Sequence, residues 1–369
     1  MHIAMVTPRH LPFVGGVETH VDRLSTALAQ RGHTVEIFTQ RTDPASARVE
    51  HRAAVTVRRY PGVLGATPYP ISPRLWRAVW SRRQTFDVIH GHGYHALASL
   101  VGPTSRGSRR PFVFTPHYHA TGHTPLARAL HPIYRPIGGQ LVRRANTIIS
   151  VSQVEADLLE GTFPPSSGQT RLVIPNGVDI DAIVAAEPFE LTDINLLCVG
   201  RLAAYKNVDR VIDAVRLLPV RFHLWIVGDG PERGQLADNA TPGRVTFLGR
   251  VSDEDLQRWY RSADVCVNLS AHEAFGIVLL EQLAAGGRVV ASSIPAHREV
   301  AGFVPDNSVR FVDVDIPPDR LAAELEQAAG LGRPEAPQTT GIPTWERVAE
   351  WTEGAYISAR ERERAPTTG

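Results

Sequence analysis

The chain has 369 residues, of which 43% are hydrophobic and 21% charged, and its net charge is +1. One hydrophobic core rarely serves so long a chain, so we expect two domains. No apolar run reaches the roughly 18 residues of a membrane helix, and the first residues lack the basic start of a signal peptide, which favours a cytoplasmic protein.

The small net charge hides an asymmetry between the two halves. Residues 1–180 carry 20 Arg against 10 Asp and Glu, and 12 of the 15 His. The basic half either meets an anionic acceptor or membrane surface, or has its Arg spread over a solvated surface. We favour the second interpretation, so peripheral membrane contact remains the less favoured of the two. The chain has no basic stripe interleaved with aromatic residues, which argues against nucleic acid as a partner.

The first half alternates strand-like apolar runs with helical patterns, as parallel sheets do. A glycine turn, Gly15-Gly16, opens a helix that presents Val17, Val21 and Leu24 on one face and ends near Arg31-Gly32. A loop is predicted at 61–73 and a helix near 75–84. Strands are predicted at His2–Val6, Val35–Thr39, Val55–Arg58, Val88–His90, Phe112–Thr115, Thr147–Val151 and Leu172–Ile174.

The pattern restarts after Pro175-Asn176-Gly177. Strands are predicted at Leu196–Val199, His223–Val227, Val245–Leu248, Val265–Leu269 and Val289–Ala291. We therefore expect one Rossmann-like domain over 1–182 and a second over 183–344, with a last helix at 345–364 that packs back on the first. Parallel sheets bind ligands at the carboxyl ends of their strands, so the cleft between two such domains is the expected site.

The only lysine of the chain, Lys206, lies between a strand and a helix, in Gly200-Arg201-Leu202-Ala203-Ala204-Tyr205-Lys206-Asn207. The other 38 basic residues are Arg, so a position that keeps Lys indicates a need for a compact ammonium. Arg201, Lys206 and a helix N-terminus capped by Asn207 together predict a phosphate site.

A pair of glutamates marks a second loop, after the strand Val265–Leu269. Phe275-Gly276-Ile277 is predicted to open a helix whose free amides face a phosphate or a sugar oxygen. Glu273 precedes that helix and Glu281 lies about two turns along it. The two carboxylates are then far enough apart for one to reach a sugar and the other a ribose diol.

These motifs resemble those of the retaining glycosyltransferases of family 4, whose hallmark Glu-x7-Glu is matched by Glu273 and Glu281. Four other segments match in order: Gly15-Gly16-Val17-Glu18, Arg31-Gly32-His33-Thr34-Val35, Ile174-Pro175-Asn176-Gly177-Val178-Asp179 and Val227-Gly228-Asp229-Gly230-Pro231. The resemblance implies an α/β GT-B fold, two Rossmann-like doubly wound domains with a cleft between them. It also implies sugar transfer, with retention, from a UDP- or GDP-sugar to a small polar acceptor. The nearly Lys-free, Arg-rich composition is typical of a high-GC genome, so a natural-product, inositol-type or lipid-linked acceptor is the expectation.

The resemblance also implies residue roles. Arg201 and Lys206 would neutralise the diphosphate, Glu281 would bind the ribose, and Glu273 would contact the transferred sugar. The other donor-side residues would be Gly16, Gly200, Arg250, Val251, Phe275, Gly276 and Ile277. His117 resembles the family's histidine near the sugar, and Gly15, His92 and His119 are candidates for the acceptor side. Arg288 stands where the family usually has Pro, a packing position.

We expect neither a cofactor nor a required metal. Three Asp-x-Asp triplets, at 179–181, 253–255 and 313–315, are interpreted as caps and surface charge rather than metal ligands. The histidines at 90, 92, 95, 117, 119 and 123 are interpreted as hydrogen-bonding groups rather than a zinc site. Two alternatives to sugar transfer stay open at this stage: a nucleotide-sugar epimerase of the same fold and a non-catalytic nucleotide-sugar sensor.

Overall fold

The computed structural model describes residues 1–13, 15–62, 71–96, 98–100, 110–118, 125–304, 308–333, 337 and 339–364, with the backbone alone for 125–133. The chain forms two compact units. The first comprises Met1–Asn176 and Trp345–Gly369, and the second comprises Gly177–Thr344. The boundary at 176/177 differs from the predicted 182/183, because the helix α5 (Ile180–Ala185) packs on helices of the second unit.

The first unit is built on an eight-stranded sheet in the order β3-β4-β2-β1-β5-β6-β7-β8. All neighbours are parallel except β3 and β4. Its strands are β1 (His2–Val6), β2 (Thr34–Gln40), β3 (Val49–Arg52), β4 (Val55–Tyr60), β5 (Val88–His92), β6 (Phe112–Thr115), β7 (Thr147–Ser150) and β8 (Thr170–Val173). The central strand β1 is fully buried from Ile3 to Val6, as expected where helices cover both faces of a sheet.

The helices of the first unit are α1 (Gly16–Gln30), α2 (Pro73–Arg82), α3 (Pro125–Arg144), α4 (Gln153–Thr162) and α12 (Trp345–Arg364). Helix α1 follows the glycine turn as predicted, and Val21, Leu24 and Leu28 are buried on its inner face. Helix α12 packs against α1, where Arg31 and His33 both contact the carboxylate of Glu353.

The second unit holds a six-stranded, all-parallel sheet in the order β11-β10-β9-β12-β13-β14. Its strands are β9 (Ile194–Val199), β10 (Phe222–Val227), β11 (Val245–Gly249), β12 (Val265–Asn268), β13 (Arg288–Ser292) and β14 (Val309–Val312). Its helices after α5 are α6 (Val208–Leu217), α7 (Arg233–Asp238), α8 (Asp253–Ser262), α9 (Ile277–Ala284), α10 (Pro295–Ala301) and α11 (Pro318–Gly330). The direction in which successive strands are added to the sheet reverses between β9 and β12. Loops that bind ligands are therefore expected at the carboxyl ends of these two strands.

Two strands were not predicted. Strand β3 has the sequence Val-Glu-His-Arg and is largely exposed at the edge of its sheet, so it lacks the apolar pattern of a buried strand. Strand β14 is a four-residue edge strand that begins four residues after Pro305. The remaining strands lie where the apolar runs predicted them, within two residues at either end.

Candidate functional site

The loop after β9 carries the two predicted cations. Arg201 is exposed, and Lys206 ends a short 3₁₀ turn, Ala204–Lys206, directly before α6. Asn207 occupies the cap position of α6 in a left-handed conformation, with φ of 52°. Its side chain does not cap the helix, contrary to the prediction: Nδ2 donates to the Leu269 carbonyl at 2.8 Å. Asn207 therefore ties the loop after β9 to the end of β12.

The loop after β10 is in direct contact with the loop after β9. The Leu202 amide donates to the Asp229 carbonyl at 3.1 Å. A Cβ atom on Gly228, whose φ is 126°, would lie 1.9 Å from the Gly200 carbonyl oxygen. Gly230 is equally confined, since its Cβ would lie 2.2 Å from the Leu202 oxygen. Only glycine at these positions lets the two loops lie in contact.

Lys206 and Glu273, 67 residues apart in sequence, meet in a hydrogen-bonded ion pair. The Lys206 Nζ donates to Glu273 Oε1 at 2.5 Å, and the two side chains are 13% and 19% exposed. The Ser270 hydroxyl donates to the same oxygen at 2.8 Å. The structure thus brings together the ammonium that was predicted to bind phosphate and the carboxylate that was predicted to bind sugar.

Both members of the pair are held in their charged forms. Burial by itself would lower the pKa of Lys206, but the adjacent carboxylate outweighs burial and raises it. Burial would raise the pKa of Glu273, but Lys206 and the Ser270 hydrogen bond lower it below its ordinary value. Two opposite charges in reduced contact with water interact more strongly than an exposed pair, and each favours ionisation of the other.

The start of α9, Ile277, lies four residues beyond Glu273. Phe275 is buried, and Gly276 precedes the helix in a left-handed conformation with φ of 101°. Helix α9 begins at Ile277, as predicted, and the amides of its first turn have no partner within the helix. These amides and the positive end of the helix dipole favour an anion or an electronegative oxygen here.

The second glutamate of the motif, Glu281, lies in α9 and accepts a hydrogen bond from the Tyr260 hydroxyl at 2.8 Å. Burial, together with Glu281, raises the pKa of Tyr260 well above its ordinary value, so the phenol stays a donor. Glu281 is only partly buried. Tyr260 therefore orients the Glu281 carboxylate.

Arg250 and Val251 follow β11, with Arg250 exposed and Val251 partly exposed. Strand β11 is joined to the loop after β10 by the Gly228 amide, which donates to the Gly249 carbonyl at 2.7 Å. Arg250 thus directly follows β11, the edge strand that pairs with β10. A pocket at the end of β9 is lined by Gly200, Arg201 and Lys206 together with Asn268 from β12.

Three residues of this site were missed by sequence reasoning: Ser270, Tyr260 and His297. His297, in α10, is fully buried beside Gly276, and its Nδ1 donates to the Ser292 carbonyl at 2.9 Å. Ser270 and Tyr260 belong to no motif and act through contacts with Glu273 and Glu281. The sequence feature that could have identified Ser270 is its position just beyond the end of a buried strand.

The first unit holds the other predicted residues. Gly15 and Gly16 lead into α1, and Gly16 is exposed. His92 ends β5 and His117 follows β6, where it adopts a left-handed φ of 47°. The centroids of the two imidazole rings lie 5.9 Å apart. His119 lies outside the described residues.

Burial governs the histidines of this region. Desolvation lowers the pKa of His92 well below its ordinary value, with neighbouring histidines adding to the effect. It lowers the pKa of His20, on α1, to about 4, against a hydrogen bond with Asn176 that would raise it. These imidazoles are therefore neutral at neutral pH, so they can accept or donate single hydrogen bonds but supply no positive charge.

In the part of the chain that the structure describes, none of the three Asp-x-Asp triplets belongs to a group of three side chains able to share one metal ion. Asp179 accepts from the Ala182 amide and caps α5, and the triplet at 253–255 starts α8 under the cap of Ser252. Among the described residues, no helix is long and apolar enough to cross a membrane.

The sequence matches known protein families over both units of the chain. Residues 14–182 match the model of Glycosyltransferase Family 4, and residues 193–329 match that of Glycosyl transferases group 1. A phosphatidyl-myo-inositol mannosyltransferase of Mycobacterium tuberculosis is 33% identical over 344 residues, which cover 88% of this chain and 85% of the relative.

Solved structures agree on the fold. The sucrose-phosphate synthase of Thermosynechococcus elongatus superimposes with a TM-score of 0.77 at 21% identity, covering 98% of this chain and 99% of that one. Anabaena HepE in complex with UDP-glucose gives a TM-score of 0.68 at 18% identity, covering 98% of each chain. The fold is GT-B, with two Rossmann-like domains. The chain belongs to glycosyltransferase family 4 and is a glycosyltransferase.

Proposed function

We propose that the chain transfers a hexose from a UDP- or GDP-sugar to a small polar acceptor, with retention of the anomeric configuration and without a metal. The partly buried ion pair of Lys206 and Glu273 carries this proposal. It places a cation for a diphosphate and a carboxylate for sugar hydroxyls side by side, at the ends of the strands where GT-B sheets turn.

The charges fit the bond that breaks. When a sugar leaves its diphosphate, positive charge develops on the anomeric carbon and negative charge on the leaving oxygens. Lys206 and Arg201 would neutralise the diphosphate, and the first amides of α9 would donate to its oxygens or to the sugar. Groups fixed in place before the reaction stabilise such a charge distribution without the reorganisation that water would need.

Two further features of the proposal follow from the same groups. Since Lys206 and Arg201 supply positive charge at the diphosphate, no divalent metal is needed there. Retention without a covalent intermediate is possible where a leaving phosphate oxygen takes the proton of the acceptor hydroxyl, so no protein base is required. Double displacement would instead need a carboxylate directly beneath the sugar, and we assign none.

We assign the donor to the second unit and the acceptor to the first. A nucleotide sugar as donor is supported by the structural relative solved with UDP-glucose. An inositol-type or lipid-linked acceptor is supported by the name of the phosphatidyl-myo-inositol mannosyltransferase. Gly15, His92 and His117 are the described candidates that contact acceptor or sugar, and Arg250 and Val251 are the candidates near the base.

The test combines binding with turnover. Thermal shifts with UDP, GDP, ADP and TDP identify the base, because a ligand that binds only the folded state raises the melting temperature. The matching UDP- or GDP-sugars are then incubated with inositol-type acceptors in EDTA, and the configuration of the product is read by NMR. Glu273→Gln should lose most of the rate, whereas Glu254→Gln, an exposed carboxylate on α8, should not. Inversion, or a rate that requires metal, contradicts the proposal.

A further inference from the structure

A buried histidine of α10 lies next to the loop that carries Glu273. His297 is 0% exposed, and a Cβ atom added to Gly276 would lie 3.4 Å from its Cδ2. The imidazole therefore packs against the residue that precedes α9. Burial lowers the pKa of His297 more than Glu273 and the Ser292 carbonyl raise it, so the ring is neutral at neutral pH.

The Nδ1 atom of His297 begins a chain of buried hydrogen bonds that ends at the Glu273 carboxylate. It lies 2.9 Å from the Ser292 carbonyl oxygen, which can only accept, so Nδ1 carries the proton. The Ser292 hydroxyl, 3.1 Å from Nδ1, donates to the Ser270 carbonyl at 2.5 Å. The Ser270 hydroxyl in turn donates to Glu273 Oε1 at 2.8 Å. Both serines are 0% exposed, so a broken link leaves buried polar groups that water does not reach.

The other nitrogen of the ring indicates which atom the position requires. Nε2 keeps its lone pair, is buried and has no hydrogen-bond partner among the residues that the structure describes. A buried polar atom without a partner is unfavourable, and an apolar side chain of similar size would avoid it. A histidine at this position is therefore explained by the hydrogen bond that Nδ1 donates, rather than by the volume of the ring.

The chain matters because Lys206 cannot hold Glu273 throughout the reaction. Glu273 Oε1 accepts from both Lys206 Nζ and the Ser270 hydroxyl. When a diphosphate binds Lys206, as the proposed function requires, the Ser270 hydroxyl still holds the carboxylate. The position of Ser270 then fixes the position of Glu273, and a displacement of about 1 Å at a reacting site can lower the rate roughly 100-fold.

We propose that His297 is a positioning residue that holds Glu273 at the transferred sugar through the two serines, without touching the sugar itself. This role rests on the proposed function, in which Glu273 contacts sugar hydroxyls. It divides the recognition of the donor into two parts. Arg201 and Lys206 hold the diphosphate, whereas the chain from His297 fixes the group at the sugar. Loss of the chain should therefore lower kcat and leave nucleotide binding unchanged.

Two substitutions separate the hydrogen bond from the volume of the ring. His297→Phe keeps a ring against Gly276 but cannot donate to Ser292, so kcat should fall roughly 10- to 100-fold. His297→Asn places an amide N–H where Nδ1 stands and should keep kcat within about threefold. Calorimetry with UDP or GDP should give the same Kd for both variants as for the unaltered chain. His223→Phe is the matched control, since His223 lies on β10 and bonds to Thr246, and it should keep the full kcat.

A second measurement needs no sugar transfer. Urea unfolding of His297→Phe, Glu273→Ala and the double variant forms a double-mutant cycle, and we expect the two losses of stability to be non-additive because both variants break the same chain. Inversion or metal dependence of the reaction would overturn the proposed function, and the cycle would still decide whether His297 and Glu273 are linked.

If His297→Phe fails to fold, Ser292→Ala replaces it in both measurements, because it removes only the hydroxyl that joins Nδ1 to the Ser270 carbonyl. The proposal is overturned by additive losses in the cycle, by an unchanged kcat in the folded variant that breaks the chain, or by an equal fall of kcat in His297→Asn and His297→Phe.

Discussion

Lys206 and Glu273 satisfy each other through a 2.5 Å hydrogen bond, although each is also assigned to a different part of the donor. A diphosphate carries more negative charge than one carboxylate and would compete with Glu273 for the ammonium. If Lys206 binds the diphosphate as proposed, donor binding should release Glu273 to sugar hydroxyls. The ion pair would then couple recognition of the diphosphate to recognition of the sugar.

The first prediction concerns the ammonium itself. Lys206→Ala should lower kcat/KM by roughly 10²- to 10³-fold, because a fixed group that stabilises the leaving charge is lost. Lys206→Arg should recover little, since the planar guanidinium is larger and differently shaped. Initial rates with the donor identified by thermal shift measure both effects. Arg216→Ala, on the exposed end of α6, is the control and should keep the full rate.

The second prediction concerns the contact between the loops after β9 and β10. Gly228→Ala places a Cβ atom 1.9 Å from the Gly200 oxygen at a φ of 126°, so the loop that carries Arg201 must move. We expect a loss of about 2–4 kcal/mol in the free energy of unfolding, together with weaker nucleotide binding.

Gly234→Ala is the matched control for Gly228→Ala. Gly234 lies in α7, and no heavy atom comes within 4 Å of its added Cβ. Alanine favours helix over glycine, so stability should stay level or rise slightly. Urea unfolding and calorimetry with the nucleotide measure both variants. Equal behaviour of the two would show that contact with Gly200 does not constrain the loop.

The third prediction is a pH dependence that arises far from the donor loops. Glu36 on β2 is buried and accepts from Arg82 Nη1 at 2.7 Å, with Arg58 bound to the same oxygen. Burial would raise the pKa of Glu36, but Arg82 and Arg58 together lower it to about 2 from an ordinary 4.5. A lowered pKa contributes stability that is present above pH 4.5 and is lost as the pH falls towards 2.

Glu36→Gln should therefore cost about 2–3 kcal/mol at neutral pH, and the difference from the unaltered chain should shrink below pH 4.5. Denaturant unfolding at a series of pH values measures it. Glu160→Gln, an exposed carboxylate on α4, is the control and should change stability little at any pH. A difference that stays constant down to pH 2.5 would count against the ion-pair origin.

Local sequence predicted the elements and the motifs because both depend on near neighbours. Apolar runs marked twelve of the fourteen strands in the described parts of the chain, and glycine before a helical pattern marked the starts of α1 and α9. Strand β3 escaped because an exposed edge strand needs no apolar side chains. Asn207 was assigned as a cap from its position before α6, but the end of β12 offered its amide a carbonyl that the sequence does not reveal.

Contacts between residues that follow different strands could not be predicted from local sequence. The pairing of Lys206 with Glu273 requires β9 and β12 to be neighbours, which depends on strand order rather than on any local pattern. The convergence of His20 on His92 likewise requires β1 to pair with β5. Resemblance identified the residues, but only the assembled sheets establish which of them touch.

The last prediction separates binding of the nucleoside from chemistry at the sugar. Tyr260 donates to Glu281 at 2.8 Å and is itself buried, so Tyr260→Phe removes one hydrogen bond with little change in packing. If Glu281 binds the ribose, its loss of orientation should raise the donor KM about tenfold, or roughly 1.4 kcal/mol, and leave kcat within about twofold. Steady-state kinetics measure this, with Tyr60→Phe in the first unit as control. A fall in kcat at unchanged KM would instead place Glu281 at the reacting bond.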